Sequence, residues 1–422
     1  MIGHSTKFVA FFFSLILGFA VTASELPAAS PESVGLSSTK LAELKDHFQE
    51  YVDDGKLAGL TTLIARGGKV VQFETYGQQE KATHTPMRRD TVFRIYSMTK
   101  PVTGIAMMML WEEGKFKLND PVSKYLPSFK NQRVFIGAGE DGKILTEPVK
   151  REATILDLMR HTAGLTYGYF GDTPVDQAYR ASGMLGPEND LEALIDQLGA
   201  QPLLYQPGEA WVYSLATDVQ GRLIEILSGK TLAEFFKERI FTPLGMTDTG
   251  FQLRPDQADR FAEVYGIDPE KGLTAYRGGF YSDYSQVPNY LSGGGGLVST
   301  TVDYWRFAQM VANDGILDGV RLIKPETAAM MRSDQLPAAL GGIAGGKAGV
   351  GFGLNFAVVK DVAKNGGAGR VGEAFWGGMA NTLFWIDKEE DIVVVFMTNI
   401  LPTGVFPLRA ELRKYVYGAL EK

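Results

Sequence analysis

Apolar residues recur at helical spacing early in the chain. Leu41, Leu44, Phe48, Tyr51 and Val52 fall on one face of a helix predicted over 38–52, opposite a charged face. Two β-rich runs follow at 60–65 and 70–76, joined by Arg66-Gly67-Gly68-Lys69, whose paired glycines admit the positive φ of a tight hairpin. The next helix, 99–113, carries Met107, Met108, Met109, Leu110 and Trp111 and reads as buried, ending at Gly114. Its Pro101 falls in the first turn, where the N–H has no helical partner anyway. The middle of the chain is helical and often interrupted. Thr154 with Asp157 and Thr231 with Glu234 are capping pairs that open helices running toward Gly164 and Pro243, and another helix over 214–227 stops before Gly229. A short strand at Leu297-Val298 leads into a Thr300-capped helix. Strand character returns at 351–359, 382–386 and 392–397, the last two turning about Lys388-Glu389-Glu390, and a helix over 408–420 closes the pattern. Strands at both ends with helices between them predict an α+β fold. Its central antiparallel sheet is built from both chain ends and flanked by helices, with an inserted, mostly helical region.

The first residues read differently. An apolar run over 8–21 follows Lys7 and ends in Val21-Thr22-Ala23, the small-residue pattern that precedes signal-peptidase cleavage. The run is shorter than the ~20 residues a spanning helix needs, and no cysteine follows to carry a lipid. The expectation is a signal peptide over 1–23, export to the periplasm or medium, and no stable membrane span after its removal. One domain would then occupy 24–422, with an α/β part at about 36–110 and 290–422 and a helical part at about 111–289.

Composition narrows the chemistry. The 422 residues are 45% hydrophobic and 22% charged, proportions of a folded body. Lys and Arg total 42 against 49 Asp and Glu, with no dense basic block, so no nucleic-acid partner is expected. Cysteine is absent, which removes disulfides, thiolate metal sites and cysteine nucleophiles. The four histidines form no H-E-x-x-H pair, and no metal site is expected. Gly137 to Gly142 spell G-x-G-x-x-G, but Lys143-Ile144-Leu145-Thr146-Glu147-Pro148 follows where a dinucleotide site needs a helix, so the run reads as a hairpin turn and no cofactor is expected. No G-x-S-x-G elbow occurs.

Ser-x-x-Lys remains. A lysine one helical turn after a serine shares its face and, as the neutral amine, can take the hydroxyl proton. The pattern occurs twice. Ser37-Ser38-Thr39-Lys40 opens an ordinary amphipathic helix and reads as a cap with a solvated lysine. Ser97-Met98-Thr99-Lys100 opens the most apolar helix directly after a β-like segment, 91–95, which would bury Lys100 and place Ser97 at a helix start.

Ser97-Met98-Thr99-Lys100, Tyr213-Ser214-Leu215-Ala216-Thr217-Asp218 and Trp376-Gly377-Gly378, in this order and separation, resemble the three signature elements of the serine β-lactamase and penicillin-binding-protein superfamily. The closest likeness is to the class C β-lactamase-like carboxylesterases, family VIII. His161-Thr162-Ala163-Gly164-Leu165, Pro243-Leu244-Gly245-Met246-Thr247-Asp248-Thr249 and Gly295-Gly296-Leu297-Val298-Ser299-Thr300 add to it. The resemblance implies Ser97 as the acylated nucleophile, Lys100 as its base and Tyr213 as a proton relay that later helps to activate the deacylating water. Trp376, Gly377 and Gly378 would lie beside the substrate, with the N–H groups of Ser97 and Met379 forming an oxyanion hole. His161 reads as packed at a helix end without a catalytic role, and Gly293-Gly294-Gly295-Gly296 as close backbone packing.

Two positions depart from the β-lactamase pattern. Leu215 stands where β-lactamases and D-Ala-D-Ala peptidases carry Asn, and Trp376 where they carry the Lys that helps to bind a substrate carboxylate. The expected activity is therefore hydrolysis of a small uncharged ester through a covalent acyl-enzyme. The alternatives are a β-lactamase or D-Ala-D-Ala carboxypeptidase, an acyltransferase, and a non-catalytic binding or sensor module of the same fold.

Overall fold

The computed structural model describes residues 26–140, 143–279 and 283–421, so the expected signal peptide lies outside the described residues. Eight antiparallel strands form the main sheet: β1 (Gly59–Arg66), β2 (Lys69–Glu80), β3 (Thr85–Pro86), β4 (Val350–Phe352), β5 (Ala357–Val359), β6 (Ala374–Gly377), β7 (Leu383–Asp387) and β8 (Ile392–Thr398). Their spatial order is β4-β5-β6-β7-β8-β1-β2-β3. The two ends of the chain meet at the centre, where β1 pairs with β8 from Leu60 opposite Thr398 to Arg66 opposite Ile392. Both strands are buried throughout apart from Arg66, because helices cover both faces of the sheet. α1 (Ser38–Asp53) and α5 (Leu408–Gly418) cover one face, and their Leu44, Phe48, Leu412 and Val416 pack with Ile64, Val394 and Phe396. α2 (Thr99–Glu112) and α4 (Thr301–Ala312) cover the other, where Leu63, Val395 and Met397 meet Ile105 and Phe307. α3 (Ala216–Ser228), in the inserted helical region, packs against α2. The α+β architecture expected from the pattern is the one found.

Local departures have identifiable causes. The stretch 351–359 is a hairpin, β4 and β5, instead of one strand. It turns at Asn355, whose φ of +63° is a conformation asparagine tolerates and whose buried amide bonds Gln220 of α3 at 2.6 Å. α3 starts at Ala216, two residues later than expected, because Ser214 faces His161 across 3.1 Å. Pro243 does not stop its helix. Leu232–Phe236 continues through a π turn, Lys237–Phe241, into Thr242–Leu244, whose first turn accommodates the proline before Gly245 ends it at φ +64°. The G-x-G-x-x-G run begins in the last two residues of the strand Arg133–Ala138, which pairs with Ile144–Pro148 as a hairpin, and its Asp141 and Gly142 lie outside the described residues.

One buried ionic group ties α5 to the sheet. Arg413 is bonded to Glu373, which precedes β6, and the Tyr417 hydroxyl lies 2.9 Å from Glu373 Oε2 and 2.8 Å from Asp387 Oδ2. Arg413→Ala would leave a buried carboxylate unpaired. It should lower the free energy of unfolding by about 3–5 kcal/mol, measured by urea denaturation, and a loss below about 1 kcal/mol, the ceiling for exposed pairs, would contradict the network's place in stability.

Candidate active site

The strand Val92–Arg94 pairs with Val298–Thr300 outside the main sheet, and Ile95 N–H continues that ladder to Leu297 O at 3.1 Å. The chain then reverses sharply. Tyr96 has φ +43°, a left-handed conformation that strains a bulky residue by about 1–3 kcal/mol, and the 3-10 turn Tyr96–Met98 feeds directly into α2. Ser97 is thereby lifted to the lip of a cavity at the start of the helix.

Lys100 lies one turn further on and is fully buried. Its Nζ donates to Gly294 O at 2.5 Å and lies within hydrogen-bond distance of the Tyr167 hydroxyl, 3.0 Å, and Ser97 Oγ, 3.4 Å. The Tyr213 hydroxyl donates to the same Ser97 Oγ at 2.7 Å, and Lys100 Nζ sits 4.7 Å from the Tyr213 ring centre. Ser97, Lys100 and Tyr213, far apart in sequence, therefore share one hydrogen-bonded centre.

The four-glycine run serves this centre by close approach. A Cβ on Gly294 would stand 2.6 Å from Asp218 Oδ2, and one on Gly293 2.8 Å from Thr217 O. Carbonyls of the run accept from Lys100 and, at 2.7 Å, from Thr103. Asp218 accepts from Ser292 Oγ at 2.6 Å and from Gly294 N–H at 3.1 Å. Burial pushes the Asp218 carboxyl above the usual carboxylate range while the Lys100 charge opposes the shift, and burial holds the Tyr167 phenol well above its ordinary value. His161 is buried, its Nδ1 on Ser214 Oγ and its ring against Tyr213 at 5.1 Å; burial first, and the Lys100 charge second, push it well below the ordinary histidine value, so it stays neutral.

Trp376, half-buried on β6, closes the other side, with its ring 5.4 Å from both Tyr213 and Phe352. Gly378 is required for this segment to lie against the turn that carries Ser97: a Cβ there would meet Thr382 Oγ1 at 2.2 Å and Ile95 O at 2.5 Å. Met379 and Ser97 line the same cavity, of about 240 Å³, whose walls include Tyr96, Phe170, Leu215, Phe251, Tyr284 and Tyr290. Ser37 lies elsewhere: its Oγ caps Lys40 N–H at 3.4 Å, and exposed Lys40 pairs with Glu43. Among the described residues no cluster of three or more histidines and acids could hold a metal, and no helix is long and apolar enough to cross a membrane.

Sequence reasoning missed Tyr167 and assigned no part to Asp218. The signal for Tyr167 lay in the His161-Thr162-Ala163-Gly164 run. Gly164 adopts φ +84° with space for no side chain, a Cβ falling 2.2 Å from Tyr205 O, and this turn delivers Tyr167 to Lys100.

With this geometry in place, a family model described as beta-lactamase matches residues 44–417. The chain belongs to the beta-lactamase family. Within it, the chain is 32% identical over 410 residues to the esterase EstB of Burkholderia gladioli, covering 92% of this chain and 98% of that one. It is 37% identical over 366 residues to protein Rv1367c of Mycobacterium tuberculosis, covering 84% and 89%. Among solved structures, EstCE1, described as a hydrolase with promiscuous acyltransferase activity, superposes with a TM-score of 0.74 at 28% identity, over 90% of this chain and 99% of that one. This beta-lactamase-family chain is thus close to the family VIII esterases and acyltransferases of the fold, a hydrolase or acyltransferase acting through a serine.

Proposed function

We propose that the protein is an exported serine carboxylesterase that forms an acyl-enzyme on Ser97. The observation that carries the reading is Ser97 Oγ held 2.7 Å from the Tyr213 hydroxyl and 3.4 Å from Lys100 Nζ, at the mouth of an aromatic cavity. In acylation, the Ser97 oxygen bonds the ester carbonyl carbon as Lys100, in its amine form, takes the serine proton. The carbonyl oxygen gathers charge toward the N–H groups of Ser97 and Met379. When the C–O bond to the alcohol breaks, Tyr213 passes a proton to the departing alkoxide. Water then enters on the same groups in reverse order and releases the acid. An alcohol that fits the cavity replaces water in a second reading, acyl transfer, which EstCE1's reported activity favours.

Trp376 sets the substrate charge. An apolar ring beside Tyr213 gives a carboxylate no charge-assisted hydrogen bond, and such a bond is worth about 1.5–3 kcal/mol. Neutral p-nitrophenyl butyrate should therefore be turned over roughly tenfold to a hundredfold better than penicillins on this account alone, and Trp376→Lys should narrow that ratio. Penicillin hydrolysis as efficient as that of the ester would overturn the esterase reading. Export is tested by N-terminal sequencing of secreted protein, which should begin at Ser24.

A further inference from the structure

A second cavity, of about 360 Å³, lies at the first turn of α5, with Asn365, Gly378, Asn381, Phe406, Arg409 and Arg413 in its walls. Leu383, which also borders it, belongs to the core beneath α1 and α5, whereas its neighbour Phe384 packs on the α2 side. The cavity is therefore on the sheet face opposite α2. It touches the candidate active site through Gly378, the residue before Met379.

Donors without acceptors gather here. Among the described residues Arg409 has no hydrogen-bond or carboxylate partner, and its guanidinium rests over the Phe375 ring at 4.9 Å. Asn365 Nδ2 and Arg413 Nε are buried and unpaired. Glu373 is held in a close ion pair by Arg413 and reaches Arg409 only as a more distant charge, so Arg409 keeps its hydrogen-bonding groups unused. Arg409 also occupies the first turn of an eleven-residue helix, next to the positive end of its dipole, and Pro407 at the N-cap offers no side-chain acceptor. Burial first, and the neighbouring Arg413 second, pull its guanidinium down to about 10, with the Glu373 charge opposing the shift. The strand accommodates this costly arrangement: a Cβ on Gly377 would stand 2.6 Å from Arg409 Nη2, so only a glycine lets the guanidinium lie there.

We infer that this cavity binds a small anion, a carboxylate or phosphate group, on Arg409. The planar guanidinium can donate two parallel N–H bonds to such a group, and the helix dipole favours the same charge. The group is either a free ion or the carboxylate of an ester whose alcohol part reaches past Gly378.

The test uses the full chain carrying Ser97→Ala, which keeps the cavity and separates this site from the esterase reading. At constant ionic strength set with sodium chloride, inorganic phosphate or acetate should raise the thermal unfolding midpoint saturably in the wild type and in Ser97→Ala. Arg409→Gln should lose that shift and Arg409→Lys should keep part of it. The sources separate kinetically with Ser97 intact. A tenfold or greater rise in KM in Arg409→Gln, confined to an ester bearing a carboxylate on its alcohol part, identifies the ester; unchanged KM for that ester and for its neutral counterpart, with the phosphate shift present, identifies a free ion. A shift retained in Arg409→Gln, or no shift in the wild type together with unchanged KM values, overturns the proposal.

Discussion

Alanine at Ser97 lowers ester turnover by about 10⁴-fold or more, the scale on which loss of a serine nucleophile acts, while alanine at Ser37 leaves it unchanged. Both serines begin Ser-x-x-Lys, so spacing alone cannot separate them; their surroundings do. Ser37 Oγ caps its own helix and Lys40 is exposed beside Glu43, and neither lines the cavity. Ser97 stands between Tyr213 and a fully buried lysine at the mouth of a cavity. The measurement is p-nitrophenyl butyrate turnover in purified variants, with fluorophosphonate labelling mapped by mass spectrometry. Adduct on Ser37, or full activity in Ser97→Ala, would remove the mechanism.

Lys100→Arg is expected to be inactive although it keeps the positive charge. Guanidinium does not give up a proton in the working range, and its planar fork cannot reproduce the contacts Nζ makes with Gly294 O, Tyr167 and Ser97. Tyr213→Phe keeps the ring against Trp376 and His161 and deletes only the hydroxyl 2.7 Å from the serine. It should lower kcat by about 10²–10⁴-fold, the range for a positioned proton donor, with KM nearly unchanged because the cavity walls remain. Near wild-type kcat in either variant would contradict the proton path.

The sheet and its helices were legible because their signals are local, whereas Tyr213 was joined to Ser97 and Lys100 only through the resemblance carried by three spaced motifs. β1 and β8 announce themselves by continuous apolar runs, and Ser97 and Lys100 by one helical turn. What was not legible depends on contacts between distant segments. The hairpin at Asn355 reads as one strand because both arms are apolar, and its reversal is held by Gln220 of α3. Tyr167 carries no motif of its own; a turn that only Gly164 can make brings it to Lys100. Asp218 stood within a quoted run, yet its contacts with Ser292 and Gly294 appear only when the glycine run folds over α3. Arg409 gives no sign in sequence that it lacks a partner.

The pairing of β1 with β8 also fixes an order of events. During synthesis Ser97 and Lys100 emerge early, but the strand bearing Trp376 and Gly377 can join the sheet only through β7 and β8, which are made after the whole inserted helical region. On the proposed mechanism, a nascent chain carries Ser97 for most of its synthesis without the segment whose Met379 N–H would polarise an ester. Contacts between such remote segments make for slow, late closure of the sheet. Reactivity in this architecture is thus a property of the finished polypeptide, and fragments ending before residue 392 should hold the serine while remaining chemically silent.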